Sequence, residues 1–353
     1  MVKKWIKWLK KPYRVAAVYT VCLIALTAFV LVDTFVLPHG MVKVSTNEEP
    51  SEGTAVSVSA VTTEVNGSEP SSDNDESSSD SSEPSSDSSE TNASSETTEV
   101  AGLTSSQSTD LPLEISEFSY ADENIQIQID EVSENGVVYY VADVVISDAK
   151  YLKTALAEDT YGKNVTAPTS EIASAHDAIF AINGDYYGFR DEGYVLRNGQ
   201  LLRSTVNGTE TEALVIDSSG NLSLVYEREV SAETLENQGA WQVLSFGPAL
   251  IVDGETVSRS TQNGSRDNPR TAIGQVAPGH YVFVVVDGRT ALSEGVTLDE
   301  LAEIMLKYGC ETAYNLDGGG TATMWFNGQV INNPTDGKKS GERAVSDIVY
   351  IGY

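Results

Sequence analysis

The sequence predicts an α+β domain on a mixed, mostly antiparallel sheet with a few packed helices, following an N-terminal transmembrane helix and a disordered acidic stalk. Three observations predict this. Period-two and β-branched runs recur from Ile125 to Ile351, the mark of strands. Only two stretches among them carry helix signals. Upstream, an 18-residue uncharged run (Val15 to Val32) is separated from the strands by a tract of Ser, Asp and Glu.

Residues 1–14 form a basic tail holding Lys3, Lys4, Lys7, Lys10, Lys11 and Arg14. Residues 15–37 are uncharged apart from Asp33, and at about 1.5 Å per residue they cross a hydrocarbon core of roughly 30 Å. The cation bias puts the N-terminus in the cytoplasm, so the expected location is the cell membrane, single-pass, with the C-terminal domain extracellular. A cleaved signal peptide is the alternative. Against it, the run exceeds a usual signal core and Val32-Asp33-Thr34-Phe35 lacks an A-x-A-like site.

Residues 38–110 read as the stalk. Ser71 to Ser95 holds 13 serines and 7 acids and offers no aromatic or aliphatic side chain larger than Ala93 to bury. From residue 111 to 353 the pattern changes. Ile125 to Asp130 alternates, and Asn135-Gly136 joins it to Val137–Ile146 as a hairpin. Further strands are predicted at 178–182, 213–216, 222–226, 243–252, 281–286, 312–316, 323–326 and 346–351. One helix opens on the capping box Thr297-Leu-Asp-Glu300, buries Leu298, Leu301, Ala302 and Met305, and stops at Gly309. A shorter one follows Pro168, from Thr169 to His176.

Composition narrows the chemistry. A net charge of −30 excludes an extended basic surface, so no nucleic-acid partner is expected. Two cysteines and three histidines, with His39 placed before the folded region, leave no disulfide scaffold and no Cys-based or His-rich metal centre. The acid excess permits a Ca²⁺ site, but no EF-hand spacing occurs; a metal stays unassigned and no cofactor is called for.

Four segments carry chemistry. The strand 312–316 runs into Asp317-Gly318-Gly319-Gly320-Thr321, whose backbone amides can cradle an anion or which can be a hairpin turn. Asn183-Gly-Asp185-Tyr-Tyr-Gly-Phe-Arg190 places an amide, an acid and three aromatic rings at a strand end, a composition suited to a sugar ring or to a turn with core aromatics. Arg270 and Arg343 stand just before apolar strands, where each can clamp phosphate or form a surface ion pair. Asp287-Gly288-Arg289 reads as structural.

Taken together, Ala181–Tyr187, Pro269–Gly274, Val284–Arg289, Gly295–Ala302, Asn315–Thr321 and Glu342–Asp347 resemble, in order and spacing, the phosphodiester glycosidase family, over roughly residues 145–353. The resemblance implies an α+β hydrolase that cleaves a sugar-1-phosphodiester, with a GlcNAc-1-phosphodiester or a cell-surface glycopolymer as substrate. It also implies a site assembled from Asn183, Asp185, Arg270, Gly318, Gly319, Gly320, Thr321, Glu342 and Arg343 with Asp317. The cysteine-rich extensions of animal members are absent, so their partner recognition is not expected. Glycosyl transfer commonly employs two carboxylates; Asp317 and Glu342 are the expected pair, with Asp185 in reserve. The competing expectation is a non-catalytic surface module that binds anionic glycopolymer during exopolysaccharide synthesis. A serine hydrolase is disfavoured by the lack of G-x-S-x-G.

Overall fold

The computed structural model describes residues 12–44, 113–208, 212–257 and 265–353. The basic tail through residue 11 and the stalk from residue 45 lie outside the described residues. Its principal elements are α1 (Pro12–Phe35), β1 (His39–Lys43), β2 (Ile125–Glu134), β3 (Val137–Ile146), β4 (Leu152–Leu156), β5 (Thr160–Lys163), α2 (Thr169–Ala175), β6 (Phe180–Asn183), β7 (Val195–Arg197), β8 (Glu212–Asp217), β9 (Leu222–Tyr226), α3 (Ala232–Asn237), β10 (Ala240–Leu244), β11 (Ala249–Val252), β12 (Arg270–Ala277), β13 (His280–Val286), α4 (Leu298–Lys307), β14 (Thr312–Leu316), β15 (Met324–Phe326) and β16 (Asp347–Ile351).

Among the described residues, three large sheets and two two-stranded ones make the domain. The largest runs β11-β14-β12-β13-β3-β2 with short strands at both edges; a second runs β15-β6-β16-β4; a third runs β7-β10-β8-β9. The mostly antiparallel pairing expected is found: every pairing between described strands is antiparallel, and an isolated bridge between Thr335 and Gly341 is parallel. Hairpins such as β2·β3 and β12·β13 need only tight turns, which parallel neighbours cannot use. Asn135 and Gly136 both take positive φ, 53° and 77°, as a type I′ turn demands.

The alternation along β13 shows where the core sits. Tyr281, Phe283 and Val285 face a cluster that also takes Phe180, Ile182, Met324, Phe326, Leu214 and Leu244 from the other two sheets. Val282, Val284 and Val286 face the opposite way, against Leu298, Leu301, Ala302 and Met305 of α4. Because both faces are covered, β13 reads as a continuous apolar run. The capping box of α4 is formed as expected, and α2 covers the outer face of the second sheet through Ile172 and Ala173.

The structure differs from the sequence-based expectation in three places. Residues 243–252, expected as one strand, divide into β10 and β11 in different sheets. Gly247 turns at φ 74°, and Pro248 has no N–H to extend a ladder. Strands β4, β5 and β7 and helix α3 carry too few alternating residues to be read from pattern alone. Last, the chain just after α1 belongs to the domain and not to the stalk. β1 pairs with β5, His39 opposite Lys163, Val44 is buried beside Tyr161 and Tyr187, and the Asn164 amide donates to the Thr34 and Leu37 carbonyls. The acidic segment thus begins after Val44. Helix α1 spans 24 residues over the expected anchor; among the described residues no helix is long and apolar enough to cross a membrane.

Candidate active site

Strand ends converge at one edge of the domain. β14 and β12 are antiparallel neighbours with Leu316 opposite Thr271, which sets Asp317 beside Arg270. β6 ends at Asn183, opposite Ile348 of β16, which brings in Asp347 and the arginine loop before it.

Asp317 is buried but for 9% of its surface. Its Oδ1 accepts from the Gly318 amide at 2.9 Å, and its Oδ2 lies 3.7 Å from Arg343 Nη2. Burial raises its pKa above the ordinary Asp range, while the charges of Arg343 and Arg190 and bonds from Thr321 and Gly318 pull the other way. The Asp317 backbone is bolted from beneath. Asn183, fully buried, donates through Nδ2 to the Asp317 carbonyl at 2.7 Å and accepts from Thr271 Oγ1 at 2.8 Å. Asn183 therefore positions Asp317 from inside the fold.

The three glycines are explained by close approach. A Cβ on Gly318 would stand 2.7 Å from the Pro269 carbonyl, on Gly319 2.8 Å from Arg289 Nη2, and on Gly320 2.6 Å from Asp336 Oδ1; Gly319 also takes φ +69°. The expected amide cradle is altered: the Gly318 amide serves Asp317, and the Gly319 amide donates to the Pro269 carbonyl at 2.8 Å. Thr321 Oγ1 turns back to the Gly318 carbonyl at 2.9 Å. Two of the loop's amides are thus spent within the protein, and the cations beside the loop are guanidinium groups.

Of those, Arg343 donates to the Gly318 carbonyl at 3.2 Å and stays two-fifths exposed beside Asp317. Arg270 is more internal, donating to the Val296 and Arg266 carbonyls at 3.1 and 2.9 Å, and burial lowers its pKa. Two arginines were not anticipated. Arg289, read as structural, donates to Asn268 Oδ1 at 3.3 Å and to the Thr335 carbonyl at 3.4 Å and also stands against Gly319; Asp287 ties down Asn332 and Asn333. Arg190 lies over the rings of Tyr186 and Phe246 at 5.4 and 4.9 Å from their centroids. Its signal was present, since it closes the aromatic segment 183–190. Within that segment Tyr187 is buried and stacks on Tyr161, whereas Tyr186 stacks on the exposed Phe189 at 4.8 Å.

The two other expected carboxylates are engaged elsewhere. Glu342 accepts from Ser170 N at 3.0 Å and Ser170 Oγ at 2.5 Å, holding the start of α2, so it is not turned to Asp317. Glu342→Gln is expected to keep kcat within about threefold and to lower the unfolding midpoint by about 2–4 °C, the scale of a lost cap. A large loss of kcat at unchanged midpoint would return Glu342 to the chemistry. Asp185 is 3% exposed. It accepts from Tyr187 N at 3.0 Å, Ser245 N at 2.9 Å and Arg197 Nη2 at 2.9 Å, which commits both of its oxygens to the fold.

Behind it lies a buried cluster that local sequence does not announce. Arg197, 1% exposed, bridges Asp185 at 2.9 Å and Asp347 at 2.8 Å. Burial opposes the Arg197 charge, but the two carboxylates more than offset it and raise its pKa. Burial pushes Asp347 up to about 8, against the pull of Arg197 and with the push of Asp185. An acid whose folded pKa exceeds its unfolded 3.8 binds its proton more tightly when folded. Its stabilisation is complete below about pH 4 and is lost as pH rises through about 8. Asp347→Asn is expected to gain in stability on the wild type as pH rises from about 4 to about 8, read by denaturant unfolding at about pH 4, 6 and 8.5. Parallel pH profiles for the two proteins would show Asp347 to be ionised throughout. Among the described residues no group of three or more metal-ligating side chains gathers.

Comparison with known proteins follows the same outline. The profile of the phosphodiester glycosidase family matches residues 176–352. The chain is 31% identical over 242 residues to the SPbeta prophage-derived uncharacterized protein YomE of Bacillus subtilis (strain 168), covering 62% of this chain and 37% of that one. It is 30% identical over 188 residues to N-acetylglucosamine-1-phosphodiester alpha-N-acetylglucosaminidase of Homo sapiens, covering 48% and 36%. The matched region thus spans little more than a third of either relative. In structure it is similar to the zebrafish N-acetylglucosamine-1-phosphodiester alpha-N-acetylglucosaminidase catalytic domain auto-inhibited by pro-peptide, with TM-score 0.54, 21% identity, and coverage of 70% of this chain and 86% of that one. At that identity the likeness speaks for the fold.

Proposed function

The chain belongs to the phosphodiester glycosidase family, and from that premise we propose that it hydrolyses the C1–O bond of a sugar-1-phosphodiester, releasing free sugar and leaving the phosphate on its other alcohol. One observation carries the reading: a largely buried Asp317 carboxyl with a raised pKa, flanked by Arg343 and Arg190. Cleavage at C1 builds positive charge on the sugar and negative charge on the departing phosphate. Asp317 can meet the first as a carboxylate or protonate the leaving oxygen as an acid. Arg343, with Arg289 across Gly319, holds phosphate through charge-assisted bonds. Tyr186, Phe189 and Phe246 offer ring faces to the sugar. N-acetylglucosamine is the first sugar to try, because the human relative's name specifies it. In this reading residues 15–37 anchor the protein in the cell membrane and the domain acts outside on a sugar phosphate or glycopolymer.

A second reading, binding of anionic glycopolymer without turnover, is favoured by the engagement of Glu342 with Ser170, which takes the expected second carboxylate of a glycosidase pair away from Asp317. Incubating the full-length protein with a GlcNAc-1-phosphodiester separates the two. Free GlcNAc accumulating with time supports hydrolysis; saturable binding without free sugar supports the module.

A further inference from the structure

A cavity of about 240 Å³ shares Arg190 with the candidate active site, and its lining includes Tyr161, Lys163, Tyr187, Asp191 and Arg203. Residues 111–353 carry 15 Lys and Arg against 36 Asp and Glu, so three cations and one acid on a single cavity reverse the balance of the domain. The charges are held in place. Arg203 donates to the carbonyls of Gly193, Tyr187, Arg190 and Glu192 at 2.6 to 3.0 Å, and Arg190 donates to the Ser245 carbonyl at 3.4 Å. Those acceptors are neutral, so both guanidinium charges persist. Lys163 pairs with Asp191, which is three-quarters exposed, and an exposed pair of that kind opens at little cost when a phosphate competes for the ammonium. Tyr161 and Tyr187 stack at 5.4 Å in the wall, both buried, and fix the back of the cavity. Arg190 joins the two places: it lines this cavity and its charge acts on Asp317.

We propose that this cavity is a second subsite, taking the next sugar-phosphate unit of a substrate that carries at least two phosphates in a row, so that the enzyme acts on a polymeric sugar phosphodiester. The inference rests on the reading of Asp317 as the reaction centre, and it adds the substrate class. A single phosphodiester occupies only the site at Asp317 and Arg343; a repeating one also reaches the Lys163 and Arg190 side.

The test compares two synthetic ligands by calorimetric titration and by kcat/KM: the methyl diester of GlcNAc-1-phosphate, and a compound in which a second GlcNAc-1-phosphate methyl diester replaces that methyl group. Wild-type protein is expected to bind the two-phosphate compound at least about tenfold more tightly, the scale of one charge-assisted contact. Lys163→Glu is expected to reduce that ratio below about threefold, with circular dichroism reporting the fold; Lys163→Ala serves as second variant should the reversal of charge disturb β5. Equal affinity of wild type for both ligands, or a ratio unchanged in both variants, overturns the subsite. Discrimination in binding with no hydrolysis of either compound keeps the subsite and removes the glycosidase reading.

Discussion

Replacing Asp317 by Asn leaves the domain folded and lowers kcat by about 10²–10⁴-fold, the usual range for loss of a general acid or base, with little change in KM. The amide keeps an oxygen for the Gly318 N–H, so the loop from Gly318 to Thr321 holds its shape. What disappears is the ionisable group. Should Asp317 act as the proton donor, its raised pKa carries the alkaline limb of the kcat profile above the ordinary carboxylate range, since activity then falls as the acid deprotonates. Arg343 lowers that same pKa, so Arg343→Gln moves the limb upward as it weakens turnover. Unchanged kcat in Asp317→Asn would remove this residue from the chemistry.

Arg197→Met carries the largest expected effect on stability. Arg197 is 1% exposed and holds Asp185 and Asp347 within 2.9 Å. It also donates to the Val243 carbonyl, so it ties together the ends of β6, β10 and β16 under the site. Removing one partner of a buried ionic cluster typically costs about 3–5 kcal/mol, because the remaining charge stays buried and uncompensated. Adding Asp185→Asn to Arg197→Met is expected to recover a large part of that loss. If the single variant unfolds with the wild type in urea, the cluster is not what holds this edge together.

The sequence reveals the elements whose signals are local. The hairpin around Asn135-Gly136, the capping box at Thr297 and the strand leading into Asp317 are each written in a few adjacent residues, and each is present in the structure. The candidate site is only partly legible in that way. Asp317, Arg343 and the glycines occupy one edge as their motifs imply, but the partners of each side chain come from elsewhere in the chain. Ser170 engages Glu342 from 172 residues away, and Arg197 reaches Asp347 across 150; no spacing rule covers such pairs. The glycines show the same limit. Three in a row signalled an uncovered backbone, yet the reason for each is a neighbour from Pro269, Arg289 or Asp336, visible only once the strands are aligned. Asp185 and Asn183 look reactive as a motif because strand ends collect polar residues, but here Asn183 holds the Asp317 backbone and Asp185 is spent on Arg197, Tyr187 and Ser245.

The most direct measurement is the fate of solvent oxygen during hydrolysis of a GlcNAc-1-phosphodiester by the full-length protein in H₂¹⁸O, followed by mass spectrometry of both products within the first turnovers, before the reducing sugar exchanges. Attack at C1, as the arrangement of Asp317 and its arginines implies, places ¹⁸O on the sugar and none on the phosphomonoester. Label in the phosphate would mean that water attacks phosphorus, and the protein would then be a phosphodiesterase using the same arginines, with no glycosyl centre at Asp317.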